Sequence, residues 1–89
     1  MDEEKAFFWF KKSANNKDVE GAQCLAECYA HGIGVEQDYN EAFSWYLWCA
    51  TLGHSYSQSC VAICYSLGKG VEKNQASAFS WHLKAAEAG

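Results

Sequence analysis

Cysteine and histidine have the widest chemical reach of the side chains in this sequence, so their spacing comes first. Cys24 and Cys28 stand four residues apart, and so do Cys60 and Cys64. On a helix that spacing places both thiols of a pair on one side. If the two helices were neighbours, four thiolates could surround a zinc ion, which takes a tetrahedral set of sulfur and nitrogen ligands. Structural zinc sites more often use a Cys-x2-Cys knuckle, and the plainer reading is small apolar residues packed at the edge of a core. A disulfide is the third reading. With Cys49 the count is five, and an odd count leaves at least one thiol unpaired within the chain. His31, His54 and His82 share no phase, and nothing marks out a nucleophile, a base and an orienting group in mutual reach. They are read as surface residues. Gly32-x-Gly34 lacks the third glycine and the preceding strand of a dinucleotide cradle, so it is read as a turn. The sequence thus calls for no catalytic residue, no metal ligand and no cofactor.

The elements that carry these residues repeat. Gly32-Ile33-Gly34-Val35-Glu36 returns 36 positions later as Gly68-Lys69-Gly70-Val71-Glu72. Ala6, Ala42 and Ala78 share a phase, as do Phe7, Phe43 and Phe79, Trp9, Trp45 and Trp81, and Ala14, Ala50 and Ala86. About 20 aligned pairs are identical at this offset, and self-similarity at such a period marks a repeat architecture. Gly32, Gly34, Gly68 and Gly70 are read as its structural turns.

Five helical segments follow from the periodicity, at about 2–14, 19–30, 39–51, 56–66 and 75–88. The first carries acidic residues at its start, Lys11 and Lys12 near its end, and an apolar face of Ala6, Trp9, Phe10 and Ala14. Asp18 is the expected cap of the second, whose stripe is Ala22, Leu25, Ala26 and Tyr29. Asp38 and Glu41 have the spacing of a capping box for the third, with Ala42, Trp45, Tyr46, Cys49 and Ala50 inward. The fourth and fifth repeat the second and third, with Val61, Ala62 and Tyr65 in the stripe and Gly89 closing the last helix as Gly53 closes the third. The short connections force neighbouring helices to pack antiparallel. Trp48 lies off the repeat stripe and is expected as an exposed anchor or an oligomer contact.

Composition narrows the function. The chain has 89 residues, 49% of them hydrophobic and 16% aromatic, as in a folded chain rather than a disordered one. The net charge is -4, from 11 acidic and 7 basic residues with no basic stripe, which argues against a nucleic-acid partner. No apolar run approaches the length of a membrane span, so no membrane insertion is expected. Asp2, Glu3 and Glu4 stand where a signal peptide would be basic. If Met1 is the natural start, the expected location is cytoplasmic.

The string Leu25-Ala26-x-x-Tyr29-x-x-Gly32-x-Gly34-Val35-x-Gln37-Asp38-Tyr39-x-x-Ala42-x-x-Trp45-Tyr46-x-x-x-Ala50-x-x-Gly53 resembles the Sel1-like repeat, a relative of the tetratricopeptide repeat. The resemblance covers essentially the whole chain: a half repeat at 1–17, a repeat at 18–53 and a repeat at 54–89. It implies an all-α fold, a right-handed superhelical α-solenoid of antiparallel helix pairs with about two and a half repeats. Glu36 and Glu72 stand where the family often has proline, and Ala26 and Ala62 where it often has glycine. The cysteine spacing does not match the family's cysteine-rich bacterial branch, so neither its disulfide framework nor its activity is carried over.

Such solenoids line their concave surface with the first helix of each pair and bind peptides or partner helices there. On that face lie Glu20, Gln23 and Glu27, and in the next repeat Tyr56, Ser59 and Ile63. The resemblance therefore implies a scaffold or adaptor for a protein or peptide partner, with no catalysis, docking at these six residues. Self-association through the open ends of the stack is a further expectation. The alternative is a cysteine-rich hydrolase or a zinc-binding repeat protein.

Overall fold

A computed structural model describes residues 2–88. Gly89, expected to close the last helix, lies outside them. Among the described residues there are five helices and no strand: α1 (Glu3–Asn15), α2 (Val19–His31), α3 (Tyr39–Thr51), α4 (Ser55–Leu67) and α5 (Gln75–Ala88). Each bound falls within one residue of that expected from the periodicity. The main packing is of each helix on its neighbour in sequence, and the chain measures 38 × 23 × 18 Å, a stack rather than a ball.

Local chemistry sets the ends. Asp18 accepts a hydrogen bond from the Glu20 amide at 3.2 Å. Asp38 accepts from Asn40 at 3.0 Å and Glu41 at 3.2 Å. The capping box expected at Asp38 and Glu41 is only half made, because the Asp38 amide donates to the Tyr29 carbonyl at 2.8 Å instead. Asn74 repeats that link to Tyr65 at 2.9 Å, and its side-chain oxygen caps α5 by accepting from the Ser77 amide at 3.0 Å. Gly32 and Gly68 end α2 and α4 in the left-handed conformation, with φ of 66° and 72°. The last carbonyls of these helices find side-chain donors: Gln37 reaches Ala30 at 2.7 Å and Gln75 reaches Ser66 at 3.1 Å. The two glutamines are not in repeat phase, yet each supplies the missing partner.

The second glycine of each loop has a different task. A Cβ on Gly34 would lie 2.2 Å from the Glu3 carbonyl oxygen, and one on Gly70 would lie 2.1 Å from that of Tyr39. Each loop therefore rests on the opening turn of the helix one repeat back. Gly32 and Gly68 close a helix, whereas Gly34 and Gly70 join successive repeats.

The core divides into two clusters. Ala14, Ala22, Leu25 and Cys49 fill one, and Ala26, Ala42, Phe43, Tyr46, Ala50, Val61 and Cys64 fill the other. Trp45 packs against both. Phe7 meets Tyr29 edge-on at 5.5 Å, and Phe43 meets Tyr65 in the same way at 5.4 Å. Trp9, in phase with Trp45, is 60% exposed, because among the described residues no helix lies on the outer side of α1. One expectation fails here. Trp48 is half-buried, edge-to-face with Trp45 at 6.3 Å, and so is a packing residue and not a free anchor.

Candidate functional site: a cleft between the second and fourth helices

Two first-type helices, α2 and α4, flank the opening half of α3. Between them lies a cleft of about 190 Å³ with Tyr39, Ala42 and Tyr46 of α3 among its lining. Glu27, Ala30 and His31 come from α2, and Tyr56, Cys60, Ile63 and Cys64 from α4, with Lys69 beyond its end. The helical period places these residues on one side of each helix, and the two helices run parallel because α3 reverses the chain between them.

Glu27 is the polar centre. The Tyr56 hydroxyl donates to its carboxylate at 2.5 Å, the Gln23 amide at 3.3 Å, and the His31 imidazole stands 3.3 Å away. Tyr46, 5% exposed, adds a weaker hydroxyl contact from the core side. Burial opposes ionisation of Glu27, but the Tyr56 and Tyr46 hydroxyls, the His31 charge and the Gln23 amide together outweigh it and hold the carboxyl below its ordinary value. The Glu27 hydrogen bond pushes the Tyr56 phenol up, and burial does the same to Tyr46. At the other end, the Lys69 ammonium lies over the Tyr39 ring, 5.0 Å from its centre.

This arrangement carries a pH signature. A carboxylate whose folded value is depressed stabilises fully above its unfolded value, near 4.5, and loses that contribution as pH falls through the folded value. Urea unfolding between about pH 5 and pH 3 should therefore show a steeper loss of stability in the native chain than in Glu27→Gln. Equal slopes would remove the carboxylate from the account.

Of the six residues expected to face a partner, Glu27, Tyr56 and Ile63 line the cleft. Gln23 reaches it through Glu27. Glu20 turns instead toward His54, at 3.8 Å. Ser59 is half-buried and does not line the cleft. Sequence reasoning did not assign Tyr39, Tyr46 or Lys69 to the docking face. Their signal was a break in the repeat: Phe10, Tyr46 and His82 share one position, Glu3, Tyr39 and Gln75 another, and Ile33 pairs with Lys69.

One cluster has the order of a catalytic triad. Glu20 lies 3.8 Å from His54 Nε2, and His54 Nδ1 lies 2.7 Å from the Ser57 hydroxyl. Ser57 is 0% exposed, so no substrate can reach its oxygen. The contact ties down the first turn of α4. The thiols are equally poorly placed for nucleophilic work. Burial is the main cause raising all five above their ordinary value, Cys60 to about 11. Among the described residues, no three histidine, cysteine or acidic side chains come together as a metal site.

The stacked helix pairs, with a loop from each resting on the pair before, define a right-handed α-solenoid. The chain belongs to the Sel1 repeat family, whose pattern matches residues 2–18, 25–54 and 55–89. It is similar to a Sel1 repeat protein from Oxalobacter formigenes, with 32% identity and a TM-score of 0.92 over 99% of this chain and 36% of that one. It is also similar to c5321, a protective antigen of uropathogenic Escherichia coli with an SLR fold, at 32% identity and a TM-score of 0.94 over 97% of this chain and 18% of that one. Helicobacter pylori cysteine rich protein B matches at 25% identity and a TM-score of 0.91, over 100% of this chain and 67% of that one. The chain thus spans a minor part of the first two relatives. No curated protein matches it.

Proposed function

We propose that the chain is a protein-interaction scaffold that binds peptide or helical segments of a partner in the cleft between α2 and α4. Sel1 repeat proteins generally act as such scaffolds. The observation that carries the reading is that the carboxylate, the tyrosines and the exposed aliphatic residue of the cleft fall where the repeat changes its letter, while Ala42, Cys60 and Cys64 beside them recur. Glu27 becomes Ile63 one repeat on, Tyr56 answers Glu20, and Tyr46 answers Phe10. Residues needed for stacking recur, and Glu27, Tyr46, Tyr56 and Ile63 do not. No catalysis is part of the proposal: a thiol hydrolase needs a thiolate, and burial disfavours that form at every cysteine. A reducing, cytoplasmic compartment would keep the five thiols free.

Partner capture by the native chain, compared with a Glu27→Lys and Ile63→Glu double variant, tests the reading. Loss of most specifically recovered proteins is expected with the double variant. Equal recovery would contradict the cleft as the docking site.

A second reading rests on the open ends. Phe79, in phase with the covered Phe7 and Phe43, is 68% exposed, and Leu83 on the same helix is 49% exposed. Self-association through this end would give a concentration-dependent sedimentation coefficient that Phe79→Glu abolishes. A single monomeric species up to millimolar concentration would dismiss it.

A further inference from the structure

The cleft carries a group that helix packing does not require. The position of Glu27 is filled by Ile63 in the next repeat, so a helix of this type stacks well with an aliphatic side chain there. A half-buried carboxylate there is thus not required for stacking, and taking its charge from water carries a penalty that its contacts must offset. The donors around Glu27 are two phenols, an amide and the imidazole of His31, whose own side chain is 64% exposed on the rim. Among the described residues no lysine forms an ion pair with it. Lys69, at the far end of the cleft, is engaged by the Tyr39 ring. The anion therefore faces the opening with no strong cation against it.

The rest of the lining is apolar or aromatic, from Ala30, Ala42, Ile63, Cys60 and the tyrosine rings. At about 190 Å³ the space falls short of the ~300 Å³ at which small-molecule sites begin, and it suits one long side chain. Tyrosine faces beside a carboxylate attract a cation on an apolar stem. The net charge of -4 favours approach of a basic segment, while the Lys69 ammonium at the far end of the cleft places its cation at the Tyr56 end.

We propose that the cleft takes a lysine or arginine side chain of a partner protein, its cation on Glu27 and a neighbouring apolar residue on Ile63. This rests on the docking reading above and names the chemistry that would be read there.

The test uses the full chain and four fluorescein-labelled Gly/Ser nonapeptides, whose central pair is Lys-Leu, Arg-Leu, norleucine-Leu or Glu-Leu. Anisotropy gives affinity, and amide shifts of the isotope-labelled chain give the place. The lysine and arginine peptides should bind at least about tenfold more tightly than the other two and shift Tyr56 and Ile63. Raising salt from about 50 to 300 mM should weaken them, since screening acts on a rim-accessible pair. Glu27→Gln, checked for native helicity, should lose the preference, Ile63→Lys should lose binding, and Glu36→Gln on the exposed loop should change neither. Shifts in the cleft with the norleucine or glutamate peptide binding as well as the lysine peptide would overturn the inference and leave the docking reading standing. An unchanged preference in Glu27→Gln would also overturn it. Shifts outside the cleft, or none with any peptide, would overturn both.

Discussion

Gly70→Ala should lower the unfolding free energy by about 3 kcal/mol or more, against about 1–2 kcal/mol for Gly68→Ala two residues earlier. Both glycines have positive φ, 75° and 72°, so an alanine at either is strained by a similar amount. Their surroundings differ. A Cβ on Gly68 meets the Lys73 side chain at 3.5 Å, an ordinary contact. A Cβ on Gly70 meets the Tyr39 carbonyl oxygen at 2.1 Å and the carbon at 2.6 Å. That obstacle is backbone at the start of α3, which is held by its Asp38 cap and by packing on both sides. The loop must lift away, and the junction between repeats opens. Gly34→Ala meets the same obstacle at Glu3, but α1 has a helix on one side only and can yield. Its loss should fall between the other two. Urea unfolding of the three variants gives the order, and equal losses for Gly68→Ala and Gly70→Ala would show that the loop does not join repeats.

Trp45→Ala should destabilise by about 3 kcal/mol, near the lower end for removal of a packed tryptophan, while Trp9→Ala should change stability by less than about 1 kcal/mol. The two residues share a repeat phase but not a setting. Trp45 packs against both core clusters and against Trp48, so its removal leaves a void between repeats. Trp9 is 60% exposed and meets Phe8 edge-on at 6.1 Å, with the Lys12 ammonium 5.4 Å from its ring. Those contacts lie on the surface and offer little burial to lose. Thermal or urea unfolding of both variants is sufficient, and similar losses would mean that Trp9 is covered in solution, as by a second copy.

This pair also shows how far the sequence could be read. Helix bounds were legible because capping residues, glycines and a 3.6-residue period are local signals, and Asp18, Gly32 and Asp38 each act near their own position. The inward face of each helix was legible because the repeat samples it more than once. Whether a neighbour covers that face is not local: Trp9 and Trp45 share a phase, yet only Trp45 is packed between helices. Trp48 was misjudged because it has no partner in phase, yet a Trp beside it in space supplies the contact.

The cleft was half legible. Glu27, Tyr56 and Ile63 stood out on the exposed side of first-type helices. The hydrogen bond between Glu27 and Tyr56 joins residues 29 apart, and it depends on how closely α2 and α4 approach across α3. No periodicity encodes that distance. Tyr46 was placed in the core stripe, which is correct for its ring but silent on its hydroxyl. In a repeat protein, positions that drop the repeated letter and still meet in space are the ones that stacking leaves free.

Site-specific photocrosslinking tests this claim most directly. A benzophenone side chain replaces Ile63 in the cleft or Ser44 on the exposed side of α3, and each chain is irradiated in extract from its native cell. The account predicts discrete partner adducts from position 63, suppressed when Glu27→Gln is added, and none of these from position 44. The same adducts from both positions, or adducts from position 44 alone, would contradict it.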